Sequence, residues 1–246
     1  MTLRSANARR WVVLVAALAG ALVTARLGLW QLSRAAQKEA LQAALDSRAS
    51  APVLDQANLA VDAASAEAQH YRRVHLHGQW IAERTVFLDN RQMNGRPGFF
   101  VVTPLRLGES ADAVLVQRGW APRDMADRTH LPALPAQPGP VDVDGLIAPP
   151  PGRLYQFAAD TAGAIRQNLD LEGFSRETGL ALRPLSVLQS DNAALPNDGL
   201  LRQWPAPAFD VQRHYGYAFQ WFALAALITG LYVWFQLVRP RLRRQA

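Results

Sequence analysis

The sequence contains no cysteine, a single lysine, and no acidic residue before Glu39 or after Asp210. Without cysteine there can be no disulfide framework, zinc finger or thiolate-held iron–sulfur cluster. The lone Lys38 stands against 25 arginines, which reads as a coding bias towards arginine. No GxSxG, P-loop, HExxH or dinucleotide-binding pattern occurs, so the residues make no case for catalysis. Basic residues nowhere alternate with aromatics in a run, which excludes an obvious nucleic-acid surface. No internal repeat is present.

The basic excess is a property of the ends. The chain carries +6 overall, yet the stretch from Arg34 to Arg213 holds 20 acidic against 18 basic side chains, a net −2. Two long apolar runs lie among the remaining arginines. The first, 11–32, is 22 residues, about 33 Å as a helix, which matches the hydrocarbon thickness of a bilayer. Trp11 and Trp30 bracket it, and Arg26 lies close enough to the outer end to snorkel. The second span, 214–238, has Tyr215, Tyr217 and Trp221 at one end and Tyr232 and Trp234 at the other. Arg4, Arg9 and Arg10 precede the first run; Arg239, Arg241, Arg243 and Arg244 follow the second. The positive-inside rule then puts both tails, 1–10 and 239–246, in the cytoplasm and the middle, 33–213, in the periplasm. A cleaved signal peptide fits the first run less well. No small-x-small cleavage site follows Val23, and the apolar pattern continues through Trp30.

The middle is expected to be a β-rich α+β domain. The first helix continues past Leu32 on helix-favouring residues, and Pro52 ends it. Ala57–Ala68 is either a short helix or a loop. From Arg73 to Gly78 apolar and polar residues alternate, as in a half-buried strand. Further strands are expected at Thr85–Leu88, Phe99–Val102, Val114–Val116, Val141–Ile147 and Pro184–Leu188, with a turn at Asn94-Gly95. Asp170–Thr178 reads as a short helix stopped by Gly179, and Pro196–Pro207 as extended chain returning to the membrane.

Three groups of side chains invite a chemical reading. His75 and His77 share a strand face, a spacing that suits a metal, but no third ligand is evident and a solvent face explains them equally. Asp142 and Asp144 read as solvated carboxylates, and Arg118 as a solvated arginine before Gly119, whose position favours no side chain. His214 stands at the outer mouth of the second span, with Tyr217 and Trp221 three and seven residues on, on the same side of a helix. A histidine there either anchors the helix or ligates the iron of an oily macrocycle arriving from the bilayer. Gln31 and Arg34, at the same depth on the first helix, either bind acidic groups of such a ligand or cap the membrane surface.

Five separated motifs, in order, resemble the surfeit locus protein 1 family. Gly28-Leu29-Trp30-Gln31-Leu32-Ser33-Arg34 resembles its LGxWQxxR stretch, with Lys38 following. Tyr71-Arg72-Arg73-Val74 with Gly78 resembles its YxxVxxxG strand. Asn90-Arg91, Gly98-Phe99 and Thr103-Pro104-Leu105 resemble its central segment. Val114-Leu115-Val116-Gln117-Arg118-Gly119-Trp120-Ala121-Pro122 resembles its VLVxRGWxP block, with Gln117 where asparagine is common. His214-Tyr215-Gly216-Tyr217-Ala218-Phe219-Gln220-Trp221 resembles its HxxYxxQW stretch. The resemblance implies a non-enzymatic assembly factor of the bacterial inner membrane. It implies service to haem-copper cytochrome c oxidase, with oxidase subunit I and haem a synthase as partners. It also implies haem a as the cofactor, with iron held by His214 and Gln31, Arg34, Tyr217 and Trp221 as surrounding residues. A scaffold that stabilises subunit I without touching haem is the alternative. A two-pass extracytoplasmic ligand sensor is another, although tails of about ten residues hold no output domain.

Overall fold

The computed structural model describes residues 2–108, 110–127, 130–155, 163–191, 198–204 and 210–245. The chain divides into two compact units. One is formed by the two ends, 1–44 with 207–246, and the other by residues 45–206.

In the first unit, a single helix α1 runs from Thr2 to Ser50, and helix α4 runs from Val211 to Tyr232. α4 passes without a break into a wider π-helical turn, Val233–Val238, and then into α5, Arg239–Gln245. The stretches Ala8–Ser50 and Val211–Arg243 are long and apolar enough to cross a membrane. The two helices pack along seams with alternating three- and four-residue steps. On α1 the seam is Leu14, Ala17, Ala21, Thr24, Gly28, Gln31, Ala35 and Lys38; on α4 it is Val211, His214, Ala218, Trp221, Ala225, Ile228 and Tyr232. That 3.5-residue period is the signature of a left-handed helix pair. Small residues at its centre let the backbones approach. A Cβ on Gly28 would sit 2.8 Å from the tip of the Phe222 ring, which occupies space that only a glycine leaves open.

The second unit is built on one eight-stranded sheet: β1 (Leu54–Asp55), β2 (Arg73–Trp80), β3 (Val86–Met93), β4 (Arg96–Leu107), β5 (Asp112–Pro122), β6 (Pro140–Ala148), β7 (Ile165–Arg166) and β8 (Ala181–Gln189). The order is β1-β2-β6-β8-β5-β4-β3-β7, and β2 also pairs with β4 at Gly78↔Leu107 to Trp80↔Leu105. That last pairing closes β2, β6, β8, β5 and β4 into a five-stranded barrel, which removes most free strand edges. Its interior is filled by Val74, Leu76, Leu105, Val114, Val116, Val143, Ile147, Leu185 and Val187. Outside the barrel, helix α3 (Leu171–Thr178) covers Val86, Leu88, Val102 and Leu115 with Phe174. Asp170 caps α3 by accepting from the Gly173 N–H at 2.8 Å. Gly179, in left-handed conformation at φ 72°, ends it.

The β-rich expectation holds at the level of a sheet-rich domain flanked by two membrane-length helices. Closure of the barrel, and the two-residue strands β1 and β7, carry no local sequence signal. Ala57–Ala68 resolves into a 3₁₀ turn at Gln56–Asn58 and helix α2, Ala63–Gln69, capped by Asp62. Of the extended return at 196–207, only 198–204 falls within the described residues, where Leu201 bridges Trp120.

Candidate functional site

His214 is one of two polar residues that face each other across the α1–α4 seam. Its Nδ1 lies 2.7 Å from Gln31 Oε1. An amide oxygen can only accept, so Nδ1 carries the hydrogen and donates it. The second ring nitrogen, Nε2, is thereby left as the lone-pair nitrogen, and it makes no hydrogen bond among the described residues. This is how a metal-binding imidazole is held elsewhere: one nitrogen is tied to an acceptor, which fixes the tautomer and the ring orientation. A second cross-helix bond runs from Tyr215 Oη to Glu39 Oε1, 2.9 Å, a pair with no motif to reveal it in the sequence.

The other expected site residues fall in different places. Trp221 lies half-buried in the seam one further heptad along α4. Tyr217 stands off the seam and is 49% exposed, because the inner track steps from His214 to Ala218, which is 2% exposed. Arg34 is exposed one turn beyond Gln31. It donates to Gln37 Oε1 at 3.1 Å and lies over the Trp30 ring at 5.6 Å, without contacting His214. Gln31 is engaged by the histidine itself.

In the sheet unit, the Arg118 reading needs correction: its side chain is 4% exposed. β5 is covered on both faces, and its register against β4 slips between Val101↔Gly119 and Val102↔Gln117, which makes Arg118 the extra residue of a bulge. The guanidinium stacks on Trp80 at 4.6 Å and lies 3.9 Å from Asp198 Oδ2, and burial pushes its pKa down. Asp198 is also held by Arg202, at 3.2 Å through Nη1 and by a closer contact through Nη2. Two buried arginines thus share one buried carboxylate. Gln137 Oε1 accepts from Trp80 Nε1 at 2.9 Å, tying the loop before β6 to the same cluster.

His75 and His77 are on the outer face of β2, each opposite an aspartate of β6. His75 Nδ1 is 2.7 Å from Asp144 and His77 Nδ1 2.8 Å from Asp142. The hydrogen bond to Asp144 raises the His75 pKa. The His75 and His77 side chains are half exposed on that face, and among the described residues no three histidine or acidic groups converge as metal ligands.

The architecture defines a class: a sheet domain carried between two membrane-length helices that meet in a polar, histidine-containing seam. Sequence comparison gives the family. A model of the SURF1 family matches residues 18–226, and the chain belongs to that family. A SURF1-like protein of Rickettsia bellii is 25% identical over 216 residues, covering 86% of this chain and 85% of the relative. One from Drosophila melanogaster is 26% identical over 235 residues, covering 88% and 74%. The yeast cytochrome oxidase assembly protein SHY1 is 29% identical over 167 residues, covering 64% of this chain and 42% of its own.

Proposed function

We propose that the protein is a membrane-embedded assembly factor for a haem-copper cytochrome c oxidase that binds haem a through His214 and assists its delivery to subunit I. Family membership and the name of the yeast relative support the role in oxidase assembly. The observation that carries the haem reading is the His214–Gln31 hydrogen bond, which leaves the other imidazole nitrogen without a partner among the described residues of the helix seam. Neutral imidazole is an axial ligand for haem iron, and a macrocycle with a long apolar tail reaches such a site through the bilayer. Trp221, half-buried in the seam, offers aromatic surface, and Arg34, exposed near the same level, offers a cation for acidic groups. Haem a would supply the redox iron of the oxidase; the chain's own part is to hold it and release it. The basic flanks support a topology with both tails in the cytoplasm and the sheet domain in the periplasm.

The test is haem per protein, read as a pyridine haemochrome after purification from cells that make haem a. His214→Ala should remove bound haem and leave membrane insertion intact, and His214→Met should keep part of it, since a thioether also ligates iron. An unchanged ratio in the Ala variant refutes haem ligation. The scaffold reading would then lead, on the observation that the His214–Gln31 and Tyr215–Glu39 bonds also fasten α1 to α4.

A further inference from the structure

We propose that the cavity at the arginine-rich end of the helix pair is a binding site for the phosphodiester headgroup of an anionic phospholipid. The cavity is 280 Å³ and is lined by Arg10 of α1 and by Tyr232, Gln236, Leu237, Pro240 and Arg241 of the opposing chain end. It rests on the reading of both helices as membrane spans.

Its chemistry is one-sided. Two guanidinium groups, an amide and a phenol face it, and no acidic residue lines it. The nearest acids in sequence are Glu39 on one side and Asp210 on the other, each more than a helix span away. Among the described residues no acidic side chain lines the cavity or forms a salt bridge with Arg10 or Arg241. The second helix changes form beside the cavity. The turn Val233–Val238 is π-helical, a widening that recurs at functional sites, and it contributes Gln236 and Leu237 to the lining. Pro240 follows and has no N–H to return to the carbonyl one turn back. The local backbone thus departs from regular helix where the polar groups gather.

Lipid is the source favoured over free phosphate. Leu237 and Tyr232 give the cavity an apolar wall, and exposed Trp11, Val12, Trp234 and Phe235 cover the adjoining helix surfaces. Aromatic residues of that kind mark the depth of lipid headgroups, and basic clefts between helices on the cytoplasmic side suit anionic ones.

The full chain, freed of lipid in detergent, is offered phosphatidylglycerol or phosphatidylcholine with the same acyl chains, and bound lipid is counted by native mass spectrometry. Phosphatidylglycerol should be preferred. The double variant Arg10→Gln with Arg241→Gln should lower its affinity about 30-fold, since each arginine near an anionic headgroup is worth about a factor of five. Arg9→Gln with Arg243→Gln, which removes equal charge from exposed positions outside the cavity, should lower it far less. Equal losses in both doubles would reduce the effect to diffuse charge and overturn the site. So would equal binding of the two lipids, and displacement of phosphatidylglycerol by millimolar inorganic phosphate would overturn the lipid source. If the first double variant does not fold, Gln236→Leu, expected to weaken phosphatidylglycerol binding severalfold, decides in its place. Alkaline carbonate extraction separates the two premises. Release of the chain from membranes overturns the spanning reading and the site with it, whereas retention without lipid preference overturns the site alone.

Discussion

Gly119→Val should lower the amount of folded protein without touching any chemical step. Gly119 follows the bulged Arg118 in β5, and a Cβ there would lie 2.7 Å from Leu200 Cβ and 3.1 Å from Leu201 O. Neither neighbour yields easily. Leu200 is 7% exposed in the cluster with Phe87, Phe99, Val101 and Ala121. Leu201 is held by two backbone bonds, Trp120 N–H to Leu201 O at 2.7 Å and Leu201 N–H to Trp120 O at 2.8 Å. Valine must therefore push the 200–202 segment off the strand. Overpacking of a tight site costs about 1–3 kcal/mol, and each broken hydrogen bond adds about 1 kcal/mol. A total of about 3–5 kcal/mol is a large part of the usual stability of about 5–15 kcal/mol. At about 2–4 °C per kcal/mol for a domain of this size, the midpoint should fall by about 6–20 °C. Thermal melts of the full chain followed by tryptophan emission, together with limited proteolysis, measure it. Trp120, one of seven tryptophans, is 1% exposed and is bonded to Leu201 at this contact. A midpoint within about 1 °C of the parent and unchanged protease resistance would refute the packing argument.

Asp198→Leu should be more damaging than Arg118→Leu, because removing the carboxylate leaves buried Arg118 without its counter-ion and buried Arg202 with only the exposed Asp191 at 3.4 Å, at about 3–5 kcal/mol; equal melting points for the two variants would show that the cluster is not shared. The His75 pKa is raised in the folded state, so its pairing with Asp144 stabilises fully below about pH 6.5 and is lost as pH rises through the folded value. Partly buried His70 is shifted the opposite way, so the measurement is the parent-minus-His75→Gln difference in melting midpoint, which should be larger at about pH 6 than at about pH 8.5; a pH-independent difference counts against it. Reporter fusions after Arg244 should be active only as cytoplasmic fusions and those near Gly139 only as exported ones; an exported tail would show that the second helix does not span.

Local order was legible where a short-range rule fixes it. The alternation Arg73–Gly78 gives β2 with every second residue buried. Asn94 and Gly95 both adopt positive φ, 52° and 74°, and close the β3–β4 hairpin as the dipeptide suggests. Asp170 and Gly179 mark the ends of α3 to within one residue. The strands were too short wherever proline intervened. β4 extends over Arg96–Leu107 although Pro97 and Pro104 look like breakers. In β8 the ladder to β5 slips around Pro184. Closure of the barrel was not legible, since the Gly78↔Leu107 pairing joins residues 29 apart that share no local pattern. Arg118 was misread because an arginine in a strand is ordinarily solvated; its burial follows from a bulge and from Asp198, 80 positions away. The helices were legible from hydropathy as long and apolar enough to cross a membrane, but their shared seam needed the burial of both.

That seam bears on how His214 is to be understood. A helix pair that needed only to hold together would be served by the small residues already present, Gly28, Ala35 and Ala218, all buried at the contact. Interhelical hydrogen bonds in membranes contribute only about 0.6 kcal/mol on average, so a histidine–glutamine pair adds little to association that packing does not supply. Leucine or alanine at both positions would meet the structural need without desolvating an imidazole. The polar pair instead fixes one nitrogen and frees the other, an arrangement with no advantage for packing and a direct one for ligation. The two roles separate in one comparison. Gln31→Leu removes the acceptor and leaves His214 in place. If His214 serves packing, that change and His214→Ala are equivalent, and neither carries a spectral signature. If it serves as a ligand, His214→Ala abolishes the haem spectrum, whereas Gln31→Leu retains haem with a shifted reduction potential, because the imidazole loses the hydrogen-bond partner that orients it.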